Sequence, residues 1–407
     1  MSGIESAHEG LPRTELAGSG IGRVTMGYPA ADIVAGEAAR QGARRVFLLA
    51  GRHLAEQTGE ITRIRDALAW RHVATHCGIR PHAPKADIVI ATRAARDAGA
   101  DMVVAVGGGS VIDAAKILIL ALRHGVDDLE GLDRLKVHYD EQGRIADAGL
   151  AAPDIPLVAV PATLSGGEFN TLAGAKDEAL SQKHGFRHAG MAPVCVVLDP
   201  AITLHTPEWL FLSTGVRAID HAVETLTSPF SNDYCDGLAE SALRLLGEGL
   251  VRVKDRPGDL AARLRCQIGV WQSMTALAGG IPMGASHAIG HALGAVAGVP
   301  HGHTSCVMAP AVQLWNGATV AAAHQRIARA LDAGDRPVPQ VLDRLILRLG
   351  MPRTLAEVGV GPDLYARIAE KTLHDIWGRT NARALNGPDD VLAILRLAED
   401  GSAWEGA

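Results

Sequence analysis

Met102-Val103-Val104-Ala105-Val106-Gly107-Gly108-Gly109-Ser110-Val111-Ile112-Asp113-Ala114-Ala115-Lys116 is a short apolar run, then three adjacent glycines, then a segment of helical periodicity. The run reads as a buried strand and Val111 to about Arg123 as the helix after it, with Ser110 as the N-cap. Such a turn exposes backbone N–H groups at the positive end of a helix dipole, where a pyrophosphate binds readily. Glycine suits the turn because a Cβ would hold the phosphates away and because such turns often need positive φ. The pattern is neither GxGxxG nor a Walker sequence, and a plain tight βα turn would read the same way. Asp113 and Lys116, on successive helical turns, read equally well as a solvated ion pair.

The same strand-helix alternation extends on both sides of this stretch. Arg45 to Ala50 reads as a buried strand after a helix near Ala31 to Gln41, and Ala86 to Asp97 as the helix feeding the glycine-rich unit. Further strands are expected at Leu157 to Val160 and Cys195 to Leu198, with the charged, irregular stretch from Asp127 to Pro153 as a surface excursion. After Asp199-Pro200 the texture changes to long helical periodicities with almost no β-branched runs. Helices are predicted at Pro207 to Thr227, Cys235 to Lys254, Leu260 to Ala278, Ala285 to Gly294, Thr319 to Ala333, Pro339 to Leu349, Pro362 to Leu373 and Pro388 to Ala398. The expected organisation is an α/β dinucleotide-binding domain over 1–200, with 1–20 a loose lead-in, and an all-helical catalytic domain over 201–407.

Size and composition agree with two domains. A chain of 407 residues exceeds what one compact core usually holds, and 47% hydrophobic with 21% charged residues is ordinary for a globular protein. The formal charge of -6 offers no basic footprint for nucleic acid or an anionic membrane, so a small molecule is the natural partner. Five scattered cysteines without a CxxC pair argue against a disulfide framework and against a thiolate zinc site. With no signal-like leader and no apolar run of spanning length, the expected location is the cytoplasm.

Ser286-His287-Ala288-Ile289-Gly290-His291 and Val299-Pro300-His301-Gly302-His303 place four histidines within seventeen residues. Read as a helix, His287 and His291 share one face, and His301, entering from a Pro-Gly turn, can close the same pocket. Two chemistries need that layout: a metal held by neutral imidazoles, or a proton-relaying cluster around a carbonyl.

The glycine turn, Pro161-Ala162-Thr163-Leu164-Ser165-Gly166-Gly167-Glu168, Gly215-Val216-Arg217-Ala218-Ile219-Asp220-His221-Ala222-Val223-Glu224 and the histidine segment 284–302 together resemble the iron-containing, or group III, alcohol dehydrogenases. Within them the likeness is to the maleylacetate reductase-like branch. It implies the dehydroquinate synthase-like fold, with the active site in the cleft between an α/β domain and a helical domain. It further implies that Gly107, Gly108, Gly109 and Ser110 hold the pyrophosphate of NADH or NADPH, with Asp113 beside the nicotinamide half. Thr163 and Leu164 would line the cofactor cleft, and Lys183 would reach the cofactor ribose. Relatives selective for NAD carry an acid at the end of the first nucleotide strand, where this chain has Leu49-Ala50-Gly51-Arg52, so NADPH is expected to be accepted beside Gly51.

Metal-dependent relatives hold iron or zinc with one Asp and three His, the Asp four residues before the first His. Here His221, His287 and His301 stand at the histidine positions, and Arg217 stands where the aspartate would be. A guanidinium cannot ligate a cation and repels one, and Asp220, one residue from His221, is turned about 100° off that face. The expected enzyme is therefore a metal-independent NAD(P)H reductase of a small, carboxylated carbonyl or enoate. Arg217 would anchor substrate, His291 would relay the proton, and His221, His287 and His301 would form a polar wall. The alternatives are a zinc- or iron-dependent alcohol dehydrogenase using those three histidines, a dehydroquinate synthase-type lyase, and a non-catalytic nucleotide-binding protein. A homodimer is expected, because apolar helical surface in such proteins usually implies one.

Overall fold

The computed structural model describes residues 20–138, 149–180 and 182–402. The expected lead-in, apart from Gly20, and residues 139–148 of the expected excursion lie outside the described residues. The chain enters through β1 (Arg23–Met26), α1 (Ala30–Arg40), β2 (Val46–Ala50), α2 (Arg52–Gln57), α3 (Glu60–Leu68) and β3 (His72–His76). It continues through α4 (Lys85–Asp97), β4 (Met102–Gly107), α5 (Gly109–Arg123), α6 (Leu129–Leu135) and β5 (Leu157–Pro161). A hairpin, β6 (Leu172–Asp177) with β7 (Gln182–Arg187), precedes β8 (Cys195–Leu198).

Six strands form one parallel sheet in the order β1-β8-β5-β4-β2-β3. Its central strands are apolar throughout because helices cover both faces, the usual condition of a parallel sheet. Phe47, Leu49, Val103 and Ala105 pack with residues of α4 and α5, while Val46, Leu48, Val104 and Val106 pack with residues of α1 and α3. Ala159, Val196 and Leu198 join a third cluster made largely of helices from the second half of the chain. The chain leaves β2 toward β3 on one side and leaves β4 toward β5 on the other, so β2 and β4 flank a topological switch point. Open parallel sheets take their ligands in the crevice at such a point.

From Glu208 onward the structure is helical: α7 (Glu208–Thr227), α8 (Asp233–Asp255), α9 (Leu260–Ala278), α10 (Ala285–Ala297), α11 (His301–Asn316), α12 (Ala321–Ala330), α13 (Val338–Leu349), α14 (Tyr365–Leu373) and α15 (Pro388–Leu397). Leu164, Phe169 and the sheet residues named above are buried against apolar side chains of α7 and α9, so the two halves share a core beside the crevice.

The expected solvated pair, Asp113 and Lys116, is not solvated. Lys116 is fully buried, and its ammonium donates to the carbonyls of Gly167, Asn170 and Leu172 and to Asn170 Oδ1. It thereby ties α5 to the segment entering β6. Burial pulls its pKa down to about 8, with the charges of Asp113 and Glu168 opposing the shift. Glu168, also buried, leaves Oε2 without a partner, and burial pushes its carboxyl from 4.5 up to about 7. A raised folded-state pKa means stability that is complete below the unfolded value and lost as pH rises through the folded one. For this shift the loss is about 3 kcal/mol. Chemical denaturation at pH 5 and pH 8 is expected to show Glu168→Gln losing less stability than the parent, or gaining more, over that interval; an identical change in both proteins would mean that Glu168 does not contribute to the pH dependence.

Candidate active site

The crevice at the switch point is built from glycines that leave no room for a side chain. Gly51, after β2, donates its N–H to Val106 O at 2.9 Å, which brings the ends of β2 and β4 together. A Cβ on Gly107 would come within 2.9 Å of Val111 Cγ2, one on Gly108 within 3.1 Å of Thr163 Cγ2, and one on Gly109 within 2.9 Å of Ser165 Oγ. Gly107, Gly108 and Gly109 therefore form a bare cradle at the N-terminus of α5, where the first N–H groups point outward. A pyrophosphate fits this arrangement. Arg52 begins α2 beside the cradle, with its guanidinium 4.0 Å from Glu56.

Two expectations about the cradle change. Gly108, not Ser110, is the N-cap, and Ser110 lies inside the first turn with Oγ accepting from His82 N at 3.0 Å. Leu164 does not line the cleft with its side chain, which is buried in the core beside Gly215 of α7, while its N–H donates to Thr214 Oγ1. Thr163 stays at the crevice, 3.2 Å from Ser165 Oγ. The hairpin missing from the sequence reading supplies Lys183, whose chain passes over Gly174 so that its charge acts on Asp113, His82 and His301. Asp113 accepts from Gly174 N at 3.2 Å, and burial raises its pKa against the pull of Lys183.

Across the crevice, α7, α10 and α11 converge. Arg217, His221 and Glu224 are spaced four and three apart, on one face of α7. Glu224 is the junction of the site. Its carboxylate accepts from Gly284 N at 2.9 Å and Ser286 N at 2.8 Å, capping α10, and it lies 2.7 Å from His287 Nδ1. With both oxygens already accepting, Nδ1 carries the proton and His287 Nε2 faces inward as a buried, unpartnered acceptor. That removes His287 from the groups expected to donate to an oxyanion. Asp220, expected to be turned off this face, nevertheless reaches the same group from its own side of α7: its Oδ2 accepts from Ser286 Oγ at 2.7 Å and lies 3.6 Å from His287 Nδ1. Burial pushes both carboxyls above the usual range.

His221 stacks on His287 with ring centroids 4.6 Å apart, and its Nδ1, like that of His301, is buried without a partner. Burial and the Arg217 charge hold His221, His287 and His301 neutral, well below the usual histidine range. His301 does not enter from a loop: it is the first residue of α11, directly after Pro300. A Cβ on the next residue, Gly302, would lie 2.7 Å from Ser213 Cβ, so glycine there lets α11 approach α7 closely enough to place His301 O 3.4 Å from Arg217 Nη1. Arg217 makes no ion pair within 4.0 Å to Asp220 or Glu224 among the described residues, although both carboxylates act on it at longer range.

His291 lies one turn beyond His287, with its ring centroid 6.1 Å from that of His301. The expected quartet Arg217, His221, His287 and His301, together with His291, is thus one cluster. His303 turns aside onto Trp209, and Cys306 is fully buried with its thiol pushed up by burial, which leaves no nucleophile. Asn381 ties the end of the helical half to the start of α10, its Oδ1 accepting from Ala285 N.

Three site residues escaped the sequence reading. His82 edges against His301 at 5.9 Å from the opposite wall, with φ at +66° and Ala83 at +49°. Both lie in the left-handed region that non-glycine residues avoid, a strain that costs about 1 kcal/mol or more per residue and that concentrates at functional sites. Lys176 N holds the loop there by donating to both of its carbonyls. Asp375 and Trp377 flank His291 from a turn before α15. None of the three shares a spacing pattern with the helical cluster; only Glu224, three residues from His221, carried such a signal.

Asp220, Glu224 and His287 offer ligand atoms within 4.8 Å of one another. Both carboxylates already accept the hydrogen bonds given above. A second group, Asp133, Asp177 and His184, is filled by the Lys85 ammonium, 2.7 Å from Asp133 Oδ1 and also paired with Asp177.

Residues 22–200 match the model of the iron-containing alcohol dehydrogenases, and residues 211–398 match the C-terminal model of the same family. The chain belongs to the iron-containing alcohol dehydrogenase family. Maleylacetate reductase 2 of Cupriavidus pinatubonensis is 31% identical over 380 residues, covering 93% of this chain and 95% of its own. Dehydrogenase FUM7 of Gibberella moniliformis is 31% identical over 409 residues, covering 92% and 95%. The crystal structure of a putative alcohol dehydrogenase from Ralstonia eutropha superposes with a TM-score of 0.82 at 30% identity, covering 96% of this chain and 99% of that one. Within the iron-containing alcohol dehydrogenases the chain stands in the maleylacetate reductase-like branch, and it is an NAD(P)-dependent oxidoreductase. Among the described residues no helix is long and apolar enough to cross a membrane.

Proposed function

We propose that the chain reduces a small, carboxylated carbonyl or enoate substrate with NADH or NADPH and without a metal ion. The observation that carries this reading is Arg217, a permanent cation pressed among the imidazoles at the position of the family's ligating carboxylate. A donor set of three neutral imidazoles around a guanidinium does not fit a second cation, because the desolvated like charges repel. The same guanidinium fits a substrate carboxylate or the oxygen on which negative charge develops, with planar donors that water cannot match in a buried site.

Bound in the glycine cradle, the reduced nicotinamide supplies the hydride. The chain does the rest. Arg217 holds the acceptor oxygen or carboxylate, Lys183 and His82 face it from the cofactor side, and His291 Nε2–H gives its proton to the alkoxide, or to the α-carbon of an enolate. The substrate gains one hydride and one proton, and the neutral imidazole is reprotonated from solvent, to which His291 is 35% exposed. Arg52 and the absence of an acid at Gly51 support acceptance of the 2′-phosphate of NADPH.

One observation favours the zinc- or iron-dependent reading: His221 Nδ1, His287 Nε2 and His301 Nδ1 are all buried without partners. A substrate panel decides between the two. Oxidation of NADH and of NADPH is followed with maleylacetate, simple aldehydes and semialdehydes, with and without a chelator. Turnover of maleylacetate, within about twofold of the untreated rate after chelation, is the expected result. Loss of activity that zinc or iron restores would overturn metal independence, and preference for uncharged aldehydes would overturn the anionic substrate.

A further inference from the structure

We propose that Asp375 is a positioning residue that fixes the proton-donating imidazole of His291, an inference that rests on the proton-relay role given to His291 above. Asp375 Oδ2 lies 2.9 Å from His291 Nδ1, and the carboxylate is partly sheltered, 17% exposed. Its other oxygen accepts from Trp377 N at 2.9 Å, capping the 3-10 turn Ile376–Arg379. The turn so formed lays the Trp377 ring beside His291, centroids 4.9 Å apart, and edge-on to His287 at 5.8 Å. One side chain therefore sets both the hydrogen-bonding edge and the packed face of the imidazole. His291 Nε2 takes no protein partner among the described residues and is not buried, so it is the nitrogen free to meet substrate.

The chemistry follows from the pairing. An imidazolium at His291 carries two protons, of which Nδ1–H is held by the Asp375 carboxylate. Transfer of the Nε2 proton to the substrate oxygen breaks one N–H bond, forms one O–H bond and leaves neutral imidazole still donating from Nδ1. The carboxylate fixes the ring's orientation and excludes the tautomer in which the proton would sit on the wrong nitrogen. Asparagine at 375 has a single acceptor oxygen. Kept on Trp377 N, that oxygen turns the amide N–H₂ toward His291 Nδ1, where it opposes the two-proton form.

The test uses Asp375→Asn, Asp375→Glu and His291→Asn in the full-length protein, with the carbonyl substrate turned over fastest in the panel above. Asp375→Asn is expected to lower kcat by about 10- to 100-fold with substrate KM within about twofold. The solvent deuterium isotope effect on kcat should rise, and the effect of deuterium at nicotinamide C4 should fall, as proton transfer becomes the slower step. Asp375→Glu should recover part of the loss, and Asp375→Asn combined with His291→Asn should be no slower than His291→Asn alone. A purely structural role would lower kcat without changing either isotope effect, and with Asp375→Asn and His291→Asn acting additively; that result overturns the proposal. If His291→Asn itself leaves kcat and both isotope effects unchanged, the relay reading fails. If only the Asp375 variants leave them unchanged, the relay stands and the positioning role fails.

Discussion

Arg217→Met is expected to lower kcat/KM for a carboxylated substrate by about 10²- to 10³-fold while leaving nicotinamide binding within about twofold. The magnitude is that of one preorganised donor removed from a developing charge in a sheltered site, about 3–4 kcal/mol. Methionine keeps much of the aliphatic bulk and removes only the fork of donors. The loss should not come from unfolding. Arg217 pairs with no carboxylate at close range among the described residues, and burial disfavours its charge, so removing it relieves a desolvation cost rather than breaking a bridge. Calorimetry should show a melting temperature equal to or above that of the parent. Arg217→Lys keeps the charge without the planar fork and should fall between the two. Arg217→Asp rebuilds a carboxylate four residues before His221, and equilibrium dialysis should then show divalent metal uptake that the parent lacks. Full activity in Arg217→Met, or equal metal binding by the parent, would remove the basis of the proposed mechanism.

The second large effect is expected at the cradle. Gly109→Val should weaken binding of NADH or NADPH by about 10²-fold, read by quenching of protein fluorescence or by cofactor KM. The first atom of the new side chain would already stand 2.9 Å from Ser165 Oγ, and the branches beyond it would occupy the space in front of the α5 N-terminus. Loss of two or so charge-assisted N–H bonds to phosphate accounts for about 3 kcal/mol. Gly36→Ala is the control. Gly36 lies inside α1 with nothing within 4 Å of its added Cβ, so the change should raise helix stability slightly and leave cofactor affinity unaltered. Unchanged affinity in Gly109→Val would mean that the cofactor phosphates bind elsewhere.

What could be read from the sequence follows burial. Val46–Ala50, Met102–Gly107, Leu157–Pro161 and Cys195–Leu198 are covered on both faces, so their apolar runs announced them, and the long amphipathic helices fell within a few residues of their observed ends. The edge strands Arg23–Met26 and His72–His76 did not stand out, because a half-exposed edge keeps polar residues. The hairpin Leu172–Asp177 with Gln182–Arg187 was hidden by its glycines and lysines, and α11 by its His-Gly start and the internal Pro310. Ser110 was placed at the cap because serine favours that position, whereas here Gly108 takes it and the hydroxyl serves the His82 loop. At the site, spacing exposed His287, His291 and His301, whereas Arg217 and His221 were legible only through the likeness to the family. Asp375, Trp377 and His82 reach the cluster from turns far along the chain, and only tertiary packing brings them there.

Glu224 joins tasks that are usually separate. The carboxylate that orients His287 is also the cap on which α10 begins, and it sits on the helix that carries Arg217. Substitution there would be felt as misfolding before it was felt as altered catalysis. Asp375 joins two tasks in the same way, holding His291 Nδ1 while capping the turn that lays Trp377 against that ring. Where one carboxylate serves both folding and orientation, stability and activity are lost together, so the helical half of the site leaves little freedom to vary at Glu224 and Asp375.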